Sequence, residues 1–68
     1  MNITLNGEVK SVEEKCTISN LIEQLGFTEK RLAVEVNLDI IPRSEHTNHL
    51  LQENDKVEIV HAIGGGQR

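Results

Sequence analysis

Polar and apolar residues alternate from the second position onward. Asn2-Ile3-Thr4-Leu5 has the two-residue period of a half-buried strand, and Glu8-Val9-Lys10-Ser11-Val12 resumes it. Between them stands Asn6-Gly7, suited to a type I′ turn because both central residues of that turn need positive φ. The chain therefore opens on a β-hairpin. The period then changes. Ile18, Leu21, Ile22 and Leu25 recur at i, i+3, i+4 and i+7, one stripe of an α-helix. Thr17 is a favourable N-cap before the stripe. Gly26 suits the left-handed C′ position after it, with Phe27 placed to pack back on the last turn.

Alternation returns in Leu32-Ala33-Val34-Glu35-Val36-Asn37, with Leu32, Val34 and Val36 on one face. Asn37 to Asp39 reads as a turn. Ile40-Ile41 follows as a short strand stopped by Pro42, which lacks the donor a ladder needs. Ser44 to Leu51 is polar with a weak helical turn, and Leu50-Leu51 are expected to tuck under the sheet. After a turn at Glu53-Asn54-Asp55, Lys56 to Ile63 is the long final strand. This order predicts an α+β domain, a mixed sheet of about five strands with one main helix packed on one face. The first and final strands are expected to be parallel neighbours in its centre. The domain is expected over residues 1–63. Residues 64–68 are expected to form a flexible tail, because glycine loses the most backbone entropy on ordering.

Composition narrows the function. Sixty-eight residues hold one domain at most. A chain of this size buries only about 60% of the surface its unfolded form exposes, so a deep, dry catalytic cleft is hard to build. Seven basic and eleven acidic residues give a net charge of −4. That argues against nucleic acid and anionic membrane as partners and favours a protein with a basic surface. The single cysteine, Cys16, cannot form an internal disulfide and fits a reducing compartment. The sequence contains neither a signal-peptide pattern nor a membrane-spanning apolar run, so the expectation is a cytoplasmic protein, monomeric when free.

The tail is the most distinctive feature. Gly64, Gly65 and Gly66 follow directly on a strand. With no side chains they can thread a narrow channel, reaching roughly 10 Å beyond the folded body. The bland alternative is a frayed terminus. Other candidates are weaker. His46 and His49 have helical spacing, but no third ligand is placed for a metal, so no metal site is expected. Cys16 precedes a helix without a basic cluster and is read as structural. No nucleophile, acid–base set or phosphate loop is recognisable, which points away from an enzyme. If Val57 and Ile59 face the helix, Val60 and Ala62 face outward, as does Ala33. With Ile63, they make a candidate docking face at the root of the tail.

Two segments carry a family resemblance. Val36-Asn37-Leu38-Asp39-Ile40-Ile41-Pro42-Arg43-Ser44-Glu45-His46 and Asp55-Lys56-Val57-Glu58-Ile59-Val60-His61-Ala62-Ile63-Gly64-Gly65-Gly66 resemble the ubiquitin-like ThiS/MoaD family of sulfur carriers, on its thiamine branch; Asn6-Gly7 fits the same pattern. The resemblance covers essentially the whole chain. It implies a β-grasp fold and a carrier rather than an enzyme. A ThiF-like adenylyltransferase would use ATP and Mg²⁺ to adenylate the terminal glycine carboxylate, with no cofactor bound by the carrier itself. A cysteine desulfurase would supply sulfur to make a thiocarboxylate, and the thiazole synthase ThiG would accept it. The acceptor is then Gly66, with Gly65 the next candidate. Family members usually end at the glycine run, whereas Gln67-Arg68 follow here. Removal of Gln67-Arg68 is therefore part of the expectation. A molybdopterin-synthase small subunit, with the same tail chemistry, is the near alternative. A ubiquitin-like binding module whose tail is never activated is the alternative from a different class.

Overall fold

The computed structural model describes residues 1–27 and 32–61. Strands β1 (Asn2–Leu5) and β2 (Glu8–Ser11) form the opening hairpin. Helix α1 (Ile18–Gln24) follows, then β3 (Leu32–Val36), β4 (Asp39–Ile41), a 3₁₀ turn over Arg43–Glu45, and β5 (Lys56–His61). The five strands form one sheet in the order β2-β1-β5-β3-β4. β5 lies parallel to β1 and antiparallel to β3, and the other pairs are antiparallel. The parallel pairing of first and final strands at the centre is as expected. This is the β-grasp arrangement that the resemblance implies.

The local signals explain the elements. Asn6 and Gly7 sit at φ 49° and 88°, the left-handed pair a type I′ turn demands. Helix α1 starts at Thr17, whose side chain accepts from the Asn20 backbone N–H while the Asn20 side chain accepts from the Thr17 backbone N–H. Asn20 thus takes the place that Glu or Gln holds in most capping boxes. At the far end, Gly26 N–H donates to Glu23 O and Phe27 N–H to Ile22 O, with Gly26 at φ 77°. These two bonds make a Schellman motif and satisfy carbonyls the helix leaves over.

One face of the sheet packs on α1. Ile18 and Leu21 from the helix meet Ile3, Val34, Val36, Val57 and Ile59 from the sheet, with Val12, Cys16 and Leu51 closing the sides. Each such side chain stabilises the fold by about 1.5–3 kcal/mol relative to exposure.

Two readings of the sequence change, and the hairpin register assigns Val9 its face. The β3–β4 turn is only Asn37-Leu38, at φ 52° and 74°, so Asp39 already pairs with Val36 inside β4. Val9 faces out and is 74% exposed. The two-residue turn sets Thr4 opposite Val9 and Ile3 opposite Lys10, so burying Ile3 turns Val9 away from the helix. Of the pair Leu50-Leu51, only Leu51 is buried. The segment is extended, bridging Thr17 at Leu50, and successive extended side chains point to opposite sides.

Candidate functional site: the outer sheet face

The sheet face away from α1 is uncovered by any described element. β5 presents Lys56, Glu58 and Val60 to it, because Val57 and Ile59 alternate inward. Antiparallel pairing puts Ala33 opposite Val60 and Glu35 opposite Glu58. β4 adds Ile40 opposite Glu35. Two rows result. Ala33–Val60 lies toward the carboxyl end of β5, and Ile40–Glu35–Glu58 lies one step behind it. Val60 is 56% exposed and Ile40 72%, while Ala33 is half-buried. The structure thus brings Val60 and Ala33 together as a cross-strand pair on the outer face. Ala62, Ile63, Gly64, Gly65 and Gly66 lie outside the described residues, as do Gln67 and Arg68.

β5 is held firmly up to this point. Beyond Leu5, where β1 ends, the Asn6 side chain continues the pairing: Nδ2 donates to Ile59 O at 3.2 Å, and Oδ1 accepts from Ile59 N–H at 2.9 Å. At the other end of β5, Asn37 Oδ1 accepts from Lys56 N–H at 3.0 Å, and its Nδ2 donates to Asp55 Oδ1 at 3.0 Å. Two turn asparagines therefore clamp the two ends of the central strand. His61 lies on the helix side, its ring meeting Phe27 edge-on at 5.2 Å between centroids. Strand β5 thus leaves the core through an aromatic contact supplied by the end of α1.

The remaining candidates have structural work. His46 is buried, with Nε2–H donating to Ile41 O at 3.1 Å; the carbonyl can only accept, which fixes the tautomer. The His49 and His46 carbonyls accept from Ile18 N–H and Ser19 N–H, so this segment covers the exposed donors of the first helical turn. Among the described residues, no three of His, Cys, Asp and Glu are grouped to hold a metal ion. Cys16 is buried, and Sγ–H donates to Thr17 O at 3.4 Å. Burial pushes its thiol pKa up, and the nearby Glu13 carboxylate adds to the rise, the opposite of an activated nucleophile. No helix among the described residues is long and apolar enough to cross a membrane.

Sequence reasoning missed Ile40, Glu35 and Glu58. The parity of β3 and β5 marks the two glutamates as outward, but only the register shows that they oppose each other. It also missed Asn6 as a strand clamp, since Asn6-Gly7 signals only the turn.

Comparison with known proteins accounts for nearly all of the chain. Residues 3–66 match the family model described as the ThiS family. A thiazole synthase of Magnetococcus marinus is 43% identical over 67 residues, covering 98% of this chain but 21% of that protein. The chain thus spans about a fifth of the length of the first curated relatives it matches. The sulfur carrier protein ThiS of Bacillus subtilis is 35% identical over 65 residues, 94% of this chain and 98% of that one. Among solved structures, the crystal structure of a thiamine biosynthesis protein, ThiS, from Geobacter metallireducens superposes with a TM-score of 0.85. It has 28% identity and covers 97% of this chain and 100% of that one.

Proposed function

The chain belongs to the ThiS family, and from that premise we propose that it is a sulfur carrier of thiamine biosynthesis, a protein co-substrate rather than an enzyme. The single observation that carries this reading is family membership over residues 3–66, a span that includes Gly64-Gly65-Gly66. The relatives named thiazole synthase support the choice of acceptor. A segment like this chain makes up about a fifth of each, as expected for a carrier that works beside that enzyme.

The chemistry follows from the tail. A free carboxylate is a poor electrophile, because its charge is delocalised over both oxygens. In the proposed sequence the Gly66 carboxylate attacks the α-phosphorus of ATP in a ThiF-like adenylyltransferase, and pyrophosphate leaves. The outer sulfur of a cysteine desulfurase persulfide then attacks the acyl carbon, and AMP leaves. A thiol cleaves the resulting S–S bond and the thiocarboxylate remains, ready for thiazole synthase. Glycine suits the acceptor position because a Cβ would crowd the acyl carbon. The reading requires a free carboxylate at Gly66, so it includes removal of Gln67-Arg68. Val60 and Ala33, with Ala62 and Ile63 next in sequence, are the proposed docking contacts. The proposed place of action is the cytoplasm.

Intact mass of the chain recovered from its native cell tests the proposal. The expected species lacks one Gln and one Arg residue and, under thiamine starvation, gains the increment of an oxygen-to-sulfur exchange. A chain that keeps Arg68 and never gains sulfur would overturn it. Deleting Gly65-Gly66 separates a tail-charged carrier from a binding module. A sulfur carrier loses its function, whereas a docking module keeps it.

A further inference from the structure

The outer face sets two like charges directly opposite each other, and no described residue is bonded to either. Glu35 and Glu58 are direct cross-strand partners on β3 and β5, with Cβ atoms about 4.5–5.5 Å apart in such a pair. Like charges set opposite each other in this way disfavour the sheet. Both strands are interior to the sheet, flanked by β1 and β4, so neither side chain can swing past a sheet edge. Among the described residues, no hydrogen bond or ion pair engages either carboxylate. Lys56 shares the face but stands one outward step further along β5, beside Thr4 rather than between the glutamates. Apolar side chains border the pair: Ile40 at its β4 end, and Ala33–Val60 in the adjacent row. A negative pair framed by exposed apolar groups complements one kind of surface, a cation projecting from an apolar patch.

We infer that Glu35 and Glu58 together receive a lysine or arginine side chain of the adenylating partner, which docks across the outer sheet face with apolar contacts on Val60 and Ile40. The inference rests on the proposed function for the identity of the partner. It adds the chemistry by which that partner reads the body of the carrier. An incoming cation is attracted by both carboxylates and removes their mutual repulsion. A free-state disadvantage thereby becomes a gain realised only in the complex. The pair also discriminates, since a partner with a carboxylate at this place is repelled.

The test uses the full chain as E35Q, E58Q and E58K, with Val60→Asp as a reference, and the ThiF-like adenylyltransferase as the probe. Urea unfolding is measured beside binding at low and high salt. Expected is a divergence of sign. The three glutamate variants unfold at the same or a higher urea concentration than the parent, while E58K binds about ten- to a hundredfold more weakly. E35Q and E58Q also flatten the salt dependence of binding. Parental binding by all three, with Val60→Asp still weakened, would overturn the cation reading and leave the docking face in place. Easier unfolding of E35Q or E58Q would overturn it too, by showing that the pair serves a cation of this chain. Parental binding by Val60→Asp as well would remove the docking face itself. No binding by the parent chain would remove the proposed function, and this inference with it.

Discussion

The side-chain amide of Asn6 completes both backbone hydrogen bonds of Ile59, donating to its carbonyl at 3.2 Å and accepting from its N–H at 2.9 Å. A turn residue thereby stands in for the next residue of β1, and β5 stays paired on both sides almost to its end. The exposed Val60 follows immediately. The proposed docking residue is thus presented from a strand whose backbone is fixed 53 positions away in sequence.

Asn6→Gly isolates this role, because glycine keeps the positive φ of the turn and removes only the amide. The expected loss is about 1–3 kcal/mol, from a backbone N–H and C=O left without their partner. Asn6→Asp keeps an acceptor for Ile59 N–H but sets a carboxylate oxygen against the Ile59 carbonyl, so it should also destabilise the chain. Urea denaturation of the two variants beside the parent checks both losses.

Val60→Asp should fold and lose no more than about 1 kcal/mol, the strand preference of Val over Asp, because the site is exposed. It should sharply weaken binding to the adenylyltransferase. A variant that fails to fold would contradict the outward placement of Val60.

Leu21 is fully buried on the helix stripe. Leu21→Ala should cost about 2–5 kcal/mol, the transfer term plus the cavity left behind. The loss should appear as a lower denaturation midpoint with an unchanged slope.

Leu38 is the opposite case. It is 85% exposed and sits at φ 74°, where a Cβ is penalised. Leu38→Gly should stabilise the chain by up to about 1 kcal/mol, because relief of left-handed strain exceeds the added freedom of the unfolded chain. Thermal unfolding is the direct measurement.

Cys16 gives a pH dependence. Its folded pKa lies above the ordinary value of 9.0, first through burial and then through Glu13. The neutral thiol is favoured in the fold, so the unfolded chain ionises first as pH rises. The stability is fully present below the unfolded pKa and is lost as pH climbs through the folded one. Stability measured under reducing conditions should fall above about pH 9 in the parent, and Cys16→Ala should remove that part of the slope.

Most of the fold was legible because its signals are local. The Asn6-Gly7 turn, the Thr17 cap, the Gly26 stop and the helix stripe each act within a few residues. So does the alternation that sends Val57 and Ile59 inward and Val60 outward. The pair Leu50-Leu51 reads as core, but the extended backbone at Thr17 turns Leu50 outward; the hairpin register likewise decides which face Val9 takes.

The elements, the helix stripe, the glycine run and the family pattern can all be read from the chain alone. Each is written in neighbouring residues or in motifs that the chain carries whole. Folding in three dimensions sets Glu35 across from Glu58, Ala33 beside Val60, Asn6 against Ile59, and the carbonyls of His46 and His49 over the start of helix α1. These relationships join residues some 23 to 53 positions apart, and a strand's period states which face a residue occupies but not which residue stands across from it.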